Sequence, residues 1–353
     1  MAESQTSSPT GIAPVLQIHP TRRCNIACAH CYSVSGPTAR EELPLELLSG
    51  CLADAARLGY RQLAVSGGEP LLYRPLPDLL ARARELGMVT TITSNGMLLT
   101  ARRWEPLAAL VDVLAISIDG TPEEHDVIRR CDGAFARTTA NLEVIRSSET
   151  PFGFIFTLTQ HNADSLEFVI RLAAEEGARS VQVHPLTAVG RAAETMPHAR
   201  PDEIELATAL CEASMLGREL GVVVHVDAIT ADQLREHRCS LVPRTPVTDL
   251  AAVAPVLIVD ADGTVIPLTH DVSPPLRLGS LGEAGGLATL ADEWLAAGGG
   301  DRLAEACGRA WAELTGAIVP LAVYWYDEVA AQTRALAPAD GVRPHPELVT
   351  TPA

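Results

Sequence analysis

The sequence predicts an α/β fold: a parallel sheet of six strands flanked by helices, followed by a smaller α+β segment. Three observations lead there. Short apolar runs alternate with stretches of helical period through the first two-thirds of the 353 residues, the signature of repeated βα units. Hydrophobic residues make up 47% of the chain, enough to bury a parallel sheet under its helices. In the last third Pro and Gly become frequent, and the pattern changes to a hairpin with an Asp-Gly turn.

The elements follow in order. Val15-Leu16-Gln17-Ile18 reads as the first strand, and helical periodicity resumes from Leu45 to Leu58. Strand-like runs at Gln62 to Val65, Thr90 to Thr93, Val113 to Ile118, Phe152 to Leu158 and Ser180 to Val183 continue the alternation. Between and after them come helical patterns at Leu76 to Leu86, Phe135 to Arg146, Ser165 to Glu176 and Pro201 to Leu220. The run Val256 to Pro267 is the hairpin, turning at Asp262-Gly263, and Leu290 to Trp294 is helical. Four segments are expected: a disordered N-terminus over 1–13, a barrel-like domain over 14–225, a small domain over 226–335 and a flexible Pro-rich tail over 336–353.

Composition narrows the function. The net charge is −17 and there is no basic stripe, which argues against a nucleic-acid partner. All 27 basic residues are Arg, so a lysine Schiff base and a P-loop lysine are both excluded. No run of 18 apolar residues offers a membrane span, and the acidic, polar start is unlike a signal peptide. Eight cysteines without paired spacing indicate a reducing, cytoplasmic setting.

The most informative feature is Cys24-x3-Cys28-x2-Cys31, directly after the first strand. Three thiolates from one short loop, with no fourth cysteine nearby, suit a cubane iron–sulfur cluster in which one iron lacks a protein ligand. A zinc loop completed by His30 or a distant residue is the alternative on spacing alone. Ser66-Gly67-Gly68-Glu69-Pro70 follows the second strand; its glycines allow close backbone approach to a ligand, and its carboxylate can receive an ammonium group. The third strand ends in Ser94-Asn95-Gly96 and the fourth in Ser117-Ile118-Asp119-Gly120. Read alone, the Gly-Gly-Glu, Asn-Gly and Asp-Gly segments are also ordinary turns.

Taken together, these motifs resemble the radical S-adenosylmethionine (SAM) superfamily, with a polar motif at the end of each of four successive strands. The resemblance implies a partial (β/α)6 TIM-like barrel and a [4Fe–4S] cluster on Cys24, Cys28 and Cys31 with SAM on its open iron. It also implies that Gly67, Gly68 and Glu69 hold the SAM amino group, and that Ser94, Asn95, Ser117 and Asp119 meet its ribose and carboxylate. Arg191, in a Gly190-Arg191 segment after the sixth strand, would pair with the SAM carboxylate. The order of elements beyond residue 225 resembles the SPASM or twitch extension of peptide-modifying members. Family members carry cysteines before this hairpin and after its proline. Here Cys239 precedes it, Leu268 stands after Pro267, and Cys307 is the one other cysteine in the region, too few for an auxiliary cluster. His270 is the one unusual ligand nearby, and most loop histidines ligate nothing.

The expected activity is reductive cleavage of SAM, then hydrogen-atom abstraction from a substrate C–H bond by the 5′-deoxyadenosyl radical. Without an auxiliary cluster, redox-neutral outcomes gain weight. Cys131, between the fourth strand and the next helix, is then the candidate thiol hydrogen donor, while Cys51 and Cys211 fall in helical patterns and read as core. The SPASM-like tail points to maturation of a ribosomally made peptide, with tailoring of a sugar, aminocyclitol or nucleoside as the alternative and a metal-binding scaffold as the non-enzymatic one. The expected partners are the substrate and a flavodoxin- or ferredoxin-type electron donor. About fifteen residues precede the first strand, too few for a leader-peptide recognition domain, so that function falls to a separate protein.

Overall fold

A computed structural model of the chain describes residues 13–283, 285–316 and 320–336. Apart from residues 13 and 336, the two terminal segments expected to lack structure lie outside the described residues.

Six strands, β1 (Val15–Ile18), β2 (Gln62–Val65), β3 (Val89–Ser94), β4 (Val113–Ser117), β5 (Phe152–Leu158) and β6 (Ser180–Pro185), run parallel in sequence order. Their connections include the helices Leu45–Arg57, Leu76–Glu85, Pro122–Arg129 and Leu166–Glu176, giving the expected partial (β/α)6 barrel. Burial alternates strictly along β1, with Leu16 and Ile18 inaccessible and Val15 and Gln17 half-buried. The buried set packs into one large core with Leu48, Leu52, Leu79 and Leu80 of the helices. The half-buried set, including Gln17, Thr91, Thr157 and Gln182, turns to the other face. Apolar residues thus fix the helices, and the opposite face mixes these polar side chains with Val15, Ala64, Ala115 and Ile155.

Two features extend the sheet. β7 (Val223–Val226), reached through helix Glu203–Leu220, pairs parallel with β6. β8 (Ile229–Thr230) leaves the sheet. The hairpin of β9 (Val256–Val259) and β10 (Thr264–Pro267) joins its other edge, with β9 parallel to β1 at Val15↔Val256 through Ile18↔Val259. β11 (Gly279–Ser280) completes a ten-stranded sheet, and β12 (Ala322–Val323) pairs with β8. The C-terminal segment is therefore continuous with the barrel sheet, because β1 has an open edge and the apolar run Val256–Val259 covers it.

Two expectations need correction. The stretch Phe135 to Arg146 forms two helices, Ala134–Ala140 and Leu142–Ser147, meeting at Asn141. The Asn141 amide donates to the Gly96 carbonyl (2.9 Å), anchoring the junction to the end of β3. Cys211 is exposed, whereas Cys51 is core as expected. Helix Glu203–Leu220 buries Leu206, Ala209 and Ala213, and position 211 falls on another face.

Candidate active site

Parallel strands bring all their C-terminal ends to one edge, and the loops leaving that edge carry the motifs. The cysteine loop folds back on itself: Cys24 N–H donates to the Gly36 carbonyl (3.1 Å), and Gly36 N–H to that of Arg22 (3.1 Å). Within it Cys28 is buried, and Cys24 and Cys31 are partly accessible. Burial, then the nearby Glu69 carboxylate, push the Cys24 thiol up to about 12, and burial pushes Cys28 up to about 11.

Glu69 is fully buried under this loop. Its Oε1 accepts from Ser94 Oγ (2.9 Å) and Leu71 N–H (3.2 Å), and its Oε2 from Asn95 N–H (3.0 Å). Asn95 Nδ2 donates to Asn25 Oδ1 (2.8 Å) and lies 3.7 Å from Cys24 Sγ. The ends of β2 and β3 and the first cysteine thus form one connected group. Ser117, at the end of β4, is also nearly buried.

The two glycines are packed closely against the cysteine loop. A Cβ on Gly67 would stand 2.6 Å from His19 Cβ, and one on Gly68 would stand 2.8 Å from the Thr21 carbonyl and closer still to that of Arg23. Gly68 and Glu69 N–H donate to Thr21 and Arg23 carbonyls (both 2.9 Å). Their smallness lets the β2 loop lie flush against the cysteine loop, so the close approach seen is backbone to backbone.

Asp119 and Arg191 are both engaged by protein groups. Asp119 is fully buried; its Oδ2 accepts from Arg129 (2.7 and 2.8 Å) and pairs with His30 Nε2 (2.8 Å), and its Oδ1 accepts from Thr157 N–H (3.1 Å). Burial alone would raise its pKa, but Arg129 and then His30 outweigh that and hold it well below the carboxylate range. Arg191 donates to the carbonyls of Cys28 (2.8 Å) and Ser35 (2.7 Å), and its N–H to that of Cys31 (2.9 Å). Both charged side chains therefore position the cysteine loop. The Cys131 thiol receives Arg137 (3.0 Å), and its backbone bonds are to Asp126 and Ala134.

Other residues have roles that the sequence did not disclose. Arg129 is buried beside Asp119 and affects the Cys28 thiol. His270 stacks on Tyr32 (4.5 Å between ring centroids) and on His19 (5.0 Å), and His19 Nδ1 pairs with Asp260 (3.2 Å). Burial pushes His270 down to about 3, so it is neutral, packing the hairpin end against the cysteine loop. At the other edge Asp227 binds His184 and His225 (3.3 Å) and accepts from Gln182 (2.7 Å). The signal was present in the sequence as a His and an Asp at two strand ends.

The donor set suits a cubane. Among the described residues no three His, Cys, Asp or Glu side chains converge closely enough to hold a single metal ion. Three thiolates on three different irons of a cubane stand farther apart than three on one ion. Soft thiolates with no carboxylate among them are also what iron–sulfur clusters take.

Comparisons with known proteins agree. Residues 18–173 match the model of the Radical SAM superfamily. A pre-heme d1 synthase of Dinoroseobacter shibae is 32% identical over 60% of this chain and 54% of its own length. A PqqA peptide cyclase of Ruegeria pomeroyi is 34% identical over 59% of this chain and 58% of its own. The chain thus spans about half the length of the curated relatives it matches. Among solved structures, native anSMEcpe with bound AdoMet superposes with a TM-score of 0.59 at 16% identity, covering 91% of this chain and 96% of that one, a likeness of fold. Residues 18–173 thus carry a radical SAM domain, the domain of a superfamily whose cofactors are a [4Fe–4S] cluster and SAM.

Proposed function

We propose that this chain is a radical SAM enzyme that modifies a C–H bond of a peptide, with Cys24, Cys28 and Cys31 holding the cluster and the ends of β2, β3 and β4 receiving SAM. The observation that carries the reading is the assembly of the cysteine loop with Glu69, Ser94 and Asn95 in one hydrogen-bonded group. When bound, cluster and SAM supply a one-electron cleavage and a carbon radical that takes a hydrogen atom. The protein's part is positional. Arg191 and the Asp119–His30 pair fix the loop, and Glu69 presents a buried carboxylate whose pKa burial raises.

The peptide substrate rests on the likeness to a PqqA peptide cyclase. The likeness to a pre-heme d1 synthase supports a tetrapyrrole instead. A net charge of −17 disfavours that second reading, because propionate-bearing rings are anionic. With only Cys239, exposed, and Cys307, buried, beyond residue 225, a redox-neutral ending is the better fit, and Cys131 remains the proposed thiol donor. A small flavodoxin- or ferredoxin-type donor, a separate leader-binding protein and a cytoplasmic setting complete the proposal; no described helix is long and apolar enough to cross a membrane.

The test is anaerobic turnover with SAM, a reductant and deuterated candidates. Deuterium arriving in 5′-deoxyadenosine from a peptide supports the reading. Transfer only from a tetrapyrrole or a small sugar would replace the substrate class. No 5′-deoxyadenosine at all, with the cluster intact, would remove the enzyme reading.

A further inference from the structure

A cavity of about 460 Å³ opens beside the end of β6, between the start of helix Glu203–Leu220 and the C-terminal helix Trp325–Leu336. Its volume is that of a small-ligand site. Its charged lining is one-sided: among the described residues Asp202, Glu203, Glu313, Asp327 and Glu328 stand against one cation, Arg200. Three of these carboxylates are committed to the fold. Asp202 caps its helix, Glu203 accepts from Leu321 N–H (2.8 Å), and Glu313 accepts from Gln332 (2.6 Å).

Asp327 is not committed in this way. The residue is 6% exposed, its Oδ2 meets Arg200 at 3.0 Å, Thr187 is a weak hydrogen-bonding neighbour of the carboxyl, and Oδ1 lacks a partner of ordinary geometry among the described residues. A buried carboxylate oxygen left without a donor is costly to keep. Glu328 beside it is half-buried; burial raises its pKa, and Arg200 is the cation that offsets the rise. The Arg200 side chain is half-exposed, so its guanidinium can return to solvent, and the buried Asp327 carboxylate it leaves then needs another cation.

We propose that this cavity is a subsite for an organic cation of the substrate, an alkylammonium or guanidinium group. The incoming cation takes the place of Arg200 on Asp327 and Glu328. The inference deepens the peptide reading above and rests on it for the source of the cation, which is either a basic side chain of a peptide or a free amine. It also turns the acidic character of the chain into selectivity, since an anionic substrate would be repelled at the same wall.

The test is calorimetric titration of the full chain with butylguanidinium, its neutral isostere butylurea, and the tripeptide acetyl-Gly-Arg-Gly-amide. Butylguanidinium should bind about tenfold or more tighter than butylurea. Asp327→Asn should weaken it by a similar factor, and Arg200→Ala should strengthen it. Glu328→Gln, on the rim, provides a second variant should Asp327→Asn fold poorly, and should also weaken binding. A tripeptide that binds at least as tightly as butylguanidinium identifies a peptide source, and a weaker one a free amine. Equal binding of guanidinium and urea, no binding of the guanidinium below about 10 mM, or unchanged affinity in both carboxylate variants overturns the proposal. Binding is read without turnover, so this failure leaves the cluster and SAM assignment standing, and failure of that assignment leaves this result intact.

Discussion

Asp119 shows how a motif residue can be found in the sequence while its partners stay hidden. Its place at the end of β4 was legible, but its partners were not. Arg129 lies ten residues on and His30 comes from another loop, so the buried trio exists only once the chain is folded. Removing the carboxylate leaves Arg129 buried and unpaired. Asp119→Ala is therefore expected to cost about 3–5 kcal/mol of stability, measured by urea unfolding; a loss under about 1 kcal/mol would contradict the buried network. Asp327 gives a prediction of opposite sign. Burial raises its pKa to about 6, against the partial offset of Arg200 and with Asp271 and Glu328 adding to the rise. A carboxyl raised in the folded state contributes stability that is present below its unfolded value near 4 and is lost as pH rises through about 6. Asp327→Asn should thus melt higher than the parent at pH 7.5 and no higher at pH 4; a lower melting temperature at pH 7.5 would show that the Arg200 pair dominates. Cys131→Ala distinguishes donor from bystander: as donor, its loss slows product formation and abolishes solvent-deuterium incorporation, and an unchanged rate with unchanged incorporation removes the assignment.

At the scale of elements, the six strands and most helices were readable because each is a short apolar run or an amphipathic stripe, both local properties. What was not local was not readable. The sequence carried the hairpin Val256–Pro267 and its Asp-Gly turn, but pairing of β9 with β1 spans some 240 residues and depends on which sheet edge is open. The cysteine loop is the other element whose form is decided at a distance. Gly190 has φ +59°, and a Cβ there would stand 2.8 Å from the Cys31 carbonyl and closer still to that of Tyr32. Any side chain at 190 pushes the Arg191 staple off the loop. Gly190→Ala is expected to lower stability by about 1–3 kcal/mol and to reduce iron bound on reconstitution; full iron loading with an unchanged melting temperature would show that the staple is not needed.

Across the whole molecule, the cysteine loop and the polar strand-end motifs lie on the C-terminal edge of a parallel sheet, and the C-terminal segment extends that sheet instead of standing apart from it. The hairpin end reaches the site through the His270–Tyr32–His19 stack, so the extension supports the cysteine loop by packing. The acidic cavity adjoins the end of β6, where that strand leaves the sheet. The central claim is that one cluster, held by one loop, serves this chain. Anaerobic iron and sulfide analysis with EPR, on the reconstituted parent and on a variant carrying Cys24→Ala, Cys28→Ala and Cys31→Ala, tests it most directly. One [4Fe–4S] cluster per chain in the parent and none in the variant is the predicted result. An iron–sulfur signal that survives in the variant would contradict it and place a second cluster elsewhere in the chain.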